Sequence, residues 1–295
     1  MNLKPASEFP LPQLADLMTR SFEGYFVPIN ITESALLIML KRDSIDLTSS
    51  RVIMNENEPI GIALIARRGW TSRLAAMGVL SQARNQSLGT QTMQKLIEEA
   101  QERQDKEMIL EVIEQNIAGV KLYEKVGFQK IRRLVGYKLE NPQFVAEDGD
   151  KSKPAQAAVL GGGDSAESTI NELQEIDIRE LARLVTYHGL KDLTWQLSGT
   201  TIMQHTPPAR AFKLNDAYCL ISNPDVNDIV IWSVLVKSRS RGAGLSKVLM
   251  MALLSKYKNK IWHVPAIFPE EMSFIFEQVN MQRESISQWQ MSLNL

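Results

Sequence analysis

Two short segments of this chain have the residue types and spacing that hold a phosphate group. Each follows an apolar run that predicts a strand and precedes an amphipathic helix; we call them the first cradle, Arg84-Asn85-Gln86-Ser87-Leu88-Gly89, and the second cradle, Arg239-Ser240-Arg241-Gly242-Ala243-Gly244. A helix start carries unpaired backbone N–H groups and about half a positive charge, so small residues there let a pyrophosphate approach the backbone. Such turns also occur for purely structural reasons, but their repetition at matching places favours a ligand of nucleotide type.

Composition and charge exclude several classes of protein. The chain has 33 Lys and Arg residues against 34 Asp and Glu, a net charge of −1, so it lacks the electrostatic footprint of a protein that binds nucleic acid or an anionic membrane. The single cysteine, Cys219, leaves no disulfide within the chain, and the three histidines are too scattered for a metal site. No apolar run reaches the length of a membrane span. We expect a cytoplasmic protein that holds no metal.

The order of sequence patterns predicts two domains of similar design. Residues 142–168 are rich in breakers and poor in periodic apolar residues, which is typical of a linker. On either side, in 1–141 and in 169–295, helices at i, i+3, i+4 spacing alternate with strand-like apolar runs. Each half also carries an aromatic helix residue downstream of its cradle, Tyr123 in the first half and Phe276 in the second. The distances from Gly89 to Tyr123 and from Gly244 to Phe276 differ by only two residues, which supports a repeat.

The first half carries a set of motifs that resembles a known family. These motifs are Met77-Gly78-Val79, then Arg84-x-x-Ser87-x-Gly89, then Leu110-Glu111-Val112, and finally Asn116-x-x-Gly119-x-x-Leu122-Tyr123-x-x-x-Gly127-Phe128. Together they closely resemble motifs A and B of the Gcn5-related N-acetyltransferase (GNAT) superfamily, and the second half resembles the same pattern in eroded form. The resemblance implies an α+β fold with two GNAT-like domains. Each domain would have a mixed, mostly antiparallel sheet with splayed parallel central strands, flanked by helices.

The resemblance also implies a cosubstrate, acetyl-CoA or another acyl-CoA. Its pyrophosphate would lie at the cradle, and its pantetheine would lie like an extra strand between the two splayed strands. The residues that match the family's binding positions are Met77, Gly78, Val79, Arg84, Asn85, Gln86, Ser87, Leu88, Gly89, Thr90, Asn116 and Tyr123, with Arg239, Arg241, Gly242, Ala243 and Gly244 as further candidates in the second half. Serine stands at position 87 where the family pattern usually has glycine, and it keeps the backbone N–H that binding needs.

Two residues of the first half match the catalytic positions of the ribosomal-protein N-terminal acetyltransferases in this superfamily. There, the residue at the place of Glu111 acts as a general base towards an amine, and the residue at the place of Tyr123 protonates the departing CoA thiolate. Their types suit those roles. Each residue also has a structural explanation: Glu111 as a strand-end carboxylate, Tyr123 as a half-buried helix aromatic, and Asn116 as a helix N-cap. Similarly, Phe22, Tyr25, Phe26 and Pro28 stand where the superfamily builds the acceptor side, or they belong to the core.

The second half lacks this chemistry when it is aligned on Phe276. Val264 and Pro269 then stand at the places of Glu111 and Asn116, so we expect the N-terminal domain to be the catalytic one. Two alternatives stay open. One is a non-catalytic acyl-CoA-binding or sensing protein, and the other is an enzyme whose active centre uses Asp228 in the C-terminal domain. The acceptor is expected to be the amine of a small molecule or a peptide, and this scaffold does not decide between them.

Overall fold

The computed structural model describes residues 2–84, 87–140 and 172–295, so Asn85, Gln86 and the predicted linker lie outside the described residues. The chain divides into two compact units. Unit 1 consists of Met1–Leu134 together with Ile286–Leu295, and unit 2 is Val135–Ser285. This division differs from the predicted boundaries, because the end of the chain belongs to unit 1 and the end of the first half belongs to unit 2.

Unit 1 is a mixed sheet with helices. Its strands are β1 (Asn2–Pro5), β2 (Arg51–Asn55), β3 (Glu58–Arg68), β4 (Thr71–Val79) and β5 (Glu107–Ile113), and its helices are α1 (Leu11–Ser21), α2 (Glu33–Asp43), α3 (Leu88–Glu102) and α4 (Ile117–Lys125). The strands lie in chain order, antiparallel except for β4 and β5, which are parallel. The apolar face of α3, with Met93, Leu96 and Ala100, is buried against strand residues such as Leu110. This burial confirms the helical periodicity predicted for the segment.

Unit 2 repeats this order. Its strands are β7 (Gln174–Ile176), β8 (Arg210–Leu214), β9 (Ala217–Ile221), β10 (Asp228–Val236) and β11 (Ile261–Pro269), and its helices are α5 (Ile178–His188), α6 (Gly199–Ile202), α7 (Leu245–Lys256) and α8 (Phe274–Glu277). Again the last two of these strands, β10 and β11, are parallel. Helix α8 is only four residues long, and a 3-10 turn over Glu270–Met272 precedes it.

Two long strands complete the sheets. Strand β12 (Gln282–Asn294) runs antiparallel beside β5 in unit 1, from Gln288 opposite Ile113 to Asn294 opposite Glu107. Strand β6 (Gln129–Leu139) is the neighbour of β11, and in unit 2 its Gly136 lies against the backbone of Val264 and Ala266. Each unit therefore contains a strand from the other half of the sequence. None of the helices described is long and apolar enough to cross a membrane.

Replacing Gly136 by alanine should destabilise the protein. A Cβ atom at this position would lie 2.8 Å from the Val264 carbonyl oxygen and 3.1 Å from the Ala266 nitrogen, and backbone atoms of a paired strand cannot easily move away. We expect a loss of about 1–3 kcal/mol in the free energy of unfolding, measured by urea denaturation. The control is Gly69→Asn, in a turn with φ +56° where a Cβ meets nothing within 4 Å. Equal stability of Gly136→Ala and wild type would contradict this packing.

Candidate active site

In unit 1 the parallel strands separate halfway along their length. Pairing between β4 and β5 joins residues 71–74 to residues 107–110 and ends there. At the same point the pairing of β4 with β3 shifts by one residue, because Leu74 faces Ile65 while Ala76 faces Leu64. Such a bulge bends the strand and increases its twist. Met77, Gly78 and Val79 therefore lie on the part of β4 that has turned away from β5, as expected for binding residues between splayed strands.

The first cradle joins this part of β4 to α3. Its Arg84 donates from Nε to the carbonyl oxygen of Val79 at 3.0 Å and from Nη2 to the carbonyl oxygens of Ser21 and Glu23 at 3.2 and 2.9 Å. The Arg84 guanidinium thus has a structural role, because it links the cradle to the end of α1. Asn85 and Gln86, predicted to bind the cosubstrate, lie outside the described residues.

The start of α3 has a left-handed N-cap and a close contact with α4. Ser87 is the N-cap and has a left-handed backbone, φ 59° and ψ 9°, which is uncommon for a residue other than glycine. Leu88, Gly89 and Thr90 follow in the first helical turn. A Cβ on Gly89 would come within 2.6 Å of Leu122 Cδ1, so glycine at this position allows α3 and α4 to pack closely.

Tyr123 is buried on α4 among apolar side chains and contacts the ring of Phe128. Burial raises the pKa of its phenol above the ordinary value, and the nearby Tyr25 phenol adds to that rise. The pKa of Tyr25 is also raised by burial, although a hydrogen bond from the Asn116 side chain partly offsets this effect. Tyr25, from the loop after α1, therefore belongs to the same site. The aromatic cluster after α1 was the only sequence signal for it.

Asn116 has two functions in this geometry. Its Oδ1 accepts a hydrogen bond from the backbone N–H of Gly119 at 3.0 Å, so it is the N-cap of α4, as its structural explanation predicted. Its side chain also bonds to Tyr25. One asparagine therefore starts the helix that carries Tyr123 and orients a second phenol beside it.

Glu111 lies in a buried polar cluster. The Arg73 guanidinium donates to Glu111 Oε2 from Nε at 2.7 Å, and its Nη2 lies 2.6 Å from the same oxygen, with only 7% and 3% of the two side chains exposed. Gln290 of β12 stands directly opposite Glu111 in the antiparallel register and is 2% exposed. Residues directly opposite each other have neighbouring side chains on one face of the sheet. Sequence reasoning missed both Arg73 and Gln290, because neither belongs to a recognised motif.

Glu111 and Tyr123 approach the gap between the strands from different faces. Leu110 and Val112 pack with Tyr123 and the apolar face of α3. Because successive side chains of a strand alternate, Glu111 points to the opposite face. A group held in the gap would thus have the carboxylate on one side of the sheet and the phenol on the other.

Unit 2 repeats the cradle geometry, but in a different register from the one predicted. Arg241 donates from Nε to the Val236 carbonyl oxygen, as Arg84 does to that of Val79, and from Nη2 to the carbonyl oxygen of His188 at the end of α5. Gly244 is the left-handed N-cap, φ 73° and ψ 6°, in the place of Ser87. The segment 241–246 is therefore the counterpart of the first cradle.

This register changes the predicted roles of three residues. Arg239 is not the counterpart of Arg84, since it forms an ion pair with Asp216 and is 77% exposed. Gly244 is the counterpart of Ser87 rather than of Gly89. The counterpart of Gly89 is Ser246, whose hydroxyl accepts a hydrogen bond from Gln278 Nε2 at 3.1 Å. Gly242 and Ala243 lie in the turn between Arg241 and Gly244. Each cradle thus has one of the two small positions filled by serine.

The polar cluster of unit 1 has an apolar counterpart in unit 2. The cradle register places Val230 where unit 1 has Arg73, and Val230 pairs with His263 as Arg73 pairs with Ile109. Two residues further along β11, Pro265 stands in the place of Glu111, one residue beyond the Val264 predicted from sequence. Gly136 of β6, next to Pro265, occupies the place of Gln290. Unit 2 therefore has no carboxylate at this position.

A cavity of about 500 Å³ lies within unit 2, between the segment 241–246 and residues 233–236 of β10. Asp228, the alternative base, does not line it. Asp228 lies instead at the opposite end of β10, where its Oδ1 is 3.0 Å from Nε2 of His263. Both side chains are partly exposed to solvent. In the part of the chain that the structure describes, no group of His, Cys, Asp and Glu side chains is placed to hold a metal ion.

Comparison with known proteins agrees with this geometry. The family model described as Acetyltransferase (GNAT) family matches residues 11–128. A putative acetyltransferase from Pyrococcus horikoshii is 16% identical, with a TM-score of 0.63 over 100% of this chain and 89% of that chain. A tandem GNAT protein from the clavulanic acid biosynthesis pathway is 14% identical, with a TM-score of 0.64 over 99% of this chain and 98% of that chain. A GCN5-related N-acetyltransferase from Sphaerobacter thermophilus is 13% identical, with a TM-score of 0.61 over 96% of this chain and 92% of that chain. No curated protein sequence matches the chain.

At these identities the solved structures show the fold, and the family match adds the activity class. Residues 11–128, within unit 1, match the acetyltransferase (GNAT) family, and the fold of the whole chain is that of two GNAT-like units in tandem. Enzymes of this superfamily use an acyl-CoA as cosubstrate and act on amine acceptors. The predicted fold class, a mixed sheet with splayed parallel strands in each of two units, is confirmed.

The two functions of Asn116 can be separated by substitution. Asn116→Ala removes the cap of α4, and we expect the free energy of unfolding to fall by about 1 kcal/mol. Asn116→Asp keeps an oxygen that accepts from Gly119 N–H but loses the amide that donates to Tyr25, so it should retain most of the stability. Urea denaturation of the two variants measures the difference. Equal losses in both variants would show that the cap contributes nothing.

Proposed function

We propose that this protein transfers an acetyl group from acetyl-CoA to a primary amine in unit 1, by direct attack in a ternary complex. The observation that supports unit 1 is the contrast between matching positions. Arg73, Glu111 and Gln290 form a buried polar cluster there, whereas Val230, Pro265 and Gly136 stand at these positions in unit 2. Tyr123 and the N-cap Asn116 complete the set in unit 1.

The attacking amine must lose a proton before it can act as a nucleophile. An amine of lysine type has a pKa near 10.4, so only about one molecule in a thousand is neutral at pH 7, a deficit of roughly 4 kcal/mol. Glu111 accepts this proton through a water molecule in our proposal. Arg73 holds one carboxylate oxygen from two nitrogens, and this contact fixes the position of the carboxylate. Gln290 lies opposite Glu111 on β12.

The thioester carbonyl and the departing sulfur also need partners. Beyond Leu74, β4 pairs with β3 but no longer with β5, so backbone N–H groups near Val79 on the side of the gap are placed to polarise the carbonyl. Tyr123 protonates the thiolate. Because burial raises the pKa of Tyr123, its phenol stays protonated at neutral pH and can donate. Acetyl-CoA supplies the activated thioester, and CoA leaves as the free thiol.

The acceptor side of unit 1 lies at the loop after α1. Gly78 faces this loop closely, since a Cβ there would lie 2.9 Å from Ser21 Cβ and 3.0 Å from the ring of Phe22. Phe22 contacts Tyr25 edge to face, and Tyr25 contacts Phe26 in the same way. An aromatic wall of this kind suits the aliphatic part of an amine donor, in a small molecule or at a peptide terminus. The fold itself does not choose between these acceptors.

Removing the proposed acid should affect turnover rather than binding. Tyr123→Phe removes one hydroxyl from a buried ring, and we expect kcat to fall by about 10²-fold or more while the Kd of acetyl-CoA stays near the wild-type value. Thioester consumption with a panel of amines measures kcat, and calorimetry measures Kd. Tyr187→Phe, on the exposed surface of α5, is the control and should behave as wild type. Unchanged turnover of Tyr123→Phe would remove this residue from the mechanism.

Removing the proposed base should change the pH profile. Glu111→Gln keeps the size and a hydrogen-bonding oxygen for Arg73, and we expect kcat/KM at pH 7 to fall by roughly 10²-fold. The deficit should shrink as the pH approaches the amine pKa, because the acceptor then loses its proton without help. Glu107→Gln, at the far end of the same face of β5, is the matched control. A deficit that is constant with pH would indicate a structural role for Glu111.

A further inference from the structure

The cavity in unit 2 begins where the parallel pairing of that unit ends. Strands β10 and β11 pair only over residues 228–230 and 261–263, and the pairing of β10 with β9 then shifts between Ile231 and Ser233. Residues 233–236 of β10, beyond this point, line the cavity of about 500 Å³. Unit 2 has therefore kept the same opening between strands that holds the proposed reaction site of unit 1.

This cavity connects the two faces of the sheet. On one face it is bounded by Val185 at the end of α5 and by Leu235, which pack in the same apolar cluster. On the other face Phe268 and Ile275, from the core beneath α7, line it. Leu190, in the loop after α5, also lines the wall. A ligand can therefore pass through the sheet into an apolar chamber.

The entrance to the cavity is the segment 241–246. Gly242 and Gly244 have φ of +83° and +73°, and a Cβ on either would meet nothing within 4 Å, so the backbone there faces open space. Helix α7 begins at Leu245 and is long enough to present the positive end of its dipole. Arg241 holds the turn in place through the carbonyl oxygens of Val236 and His188. A cradle for a phosphate thus leads directly into an apolar chamber.

The reactive groups of unit 1 have no equivalents around this chamber. Pro265 stands in the place of Glu111, and Phe276, the aromatic of the predicted repeat, is fully buried against Tyr137 and Phe268 and has no proton to donate. The acidic side chain that lines the cavity is Glu271, which is exposed. Ligand-sized cavities with apolar walls and a few polar groups are typical binding sites.

We propose that unit 2 is a second, non-catalytic site for a CoA thioester that carries an aliphatic acyl chain of several carbons. The proposal rests on the proposed function for the CoA part of the ligand. The cradle takes the phosphates, the gap between β10 and β11 takes the pantetheine, and the apolar chamber takes the chain. Each buried methylene adds to affinity, so a longer acyl group binds more tightly than acetyl. The site holds its ligand without turnover.

The test counts binding events in each unit separately. Native mass spectrometry gives the stoichiometry, and calorimetry gives the Kd, for acetyl-CoA and octanoyl-CoA. Ser87→Val and Gly244→Val alter the equivalent left-handed positions of the two cradles, where a β-branched side chain distorts the turn. Leu190→Trp places a larger side chain in the wall of the chamber and leaves the sequence of the segment 241–246 unchanged. Tyr187→Trp, on the exposed surface of α5, is the control for Leu190→Trp.

We expect Ser87→Val to retain one equivalent of octanoyl-CoA, bound about tenfold or more tightly than acetyl-CoA. Leu190→Trp and Gly244→Val should lose the octanoyl-CoA bound in unit 2, while Tyr187→Trp should retain it. The inference is overturned if octanoyl-CoA binds no better than acetyl-CoA in Ser87→Val, or binds equally well after Leu190→Trp. Amine acetylation without octanoyl-CoA binding in unit 2 would overturn this inference and leave the proposed function intact. Retained octanoyl-CoA binding without acetylation of any amine would refute only the proposed function.

Discussion

The end of pairing between two parallel strands is the constraint on which the rest of this structure depends. In unit 1 the bulge after Leu74 turns β4 away from β5, and the backbone beyond it keeps only one strand partner. A gap in a sheet normally leaves polar backbone groups without partners, which is costly unless a ligand or water supplies them. The cradle, Glu111 and the helix that carries Tyr123 all meet at this gap. In the proposed mechanism, a substrate that fills this gap meets both the free backbone groups and the side chains of Glu111 and Tyr123.

Both units have this gap between parallel strands, and they differ in the strand that lies beside it. Beside β5, strand β12 places Gln290 opposite Glu111, and the buried guanidinium of Arg73 balances the carboxylate. Beside β11, strand β6 places Gly136 next to Pro265. A buried charge is tolerated only where partners surround it, so losing the partners and losing the carboxylate go together. This physical linkage explains why one unit is polar at the gap and the other apolar.

Sequence reasoning identified the cradle of unit 1, the N-cap Asn116 and the existence of a repeat, because each depends on local spacing of small and polar residues. It placed the second cradle two residues too early. The two arginines of this segment, at 239 and 241, lie two residues apart, and so do its two glycines, at 242 and 244, so the spacing alone fits two registers. The backbone decides: the left-handed residue and the arginine bound to the preceding strand mark Gly244 and Arg241 as the equivalent positions.

The sequence by itself predicted the family of the first half and the mixed sheet in each half, since these follow from periodicity and from motifs within short stretches. Only the tertiary structure showed that Arg73 and Gln290 surround Glu111, that Tyr25 joins Tyr123, and that the end of the chain belongs to unit 1. These contacts join residues that are far apart in sequence, and strand pairing over such distances has no local signature. It also showed that unit 2 contains an apolar chamber, which depends on how several elements pack together.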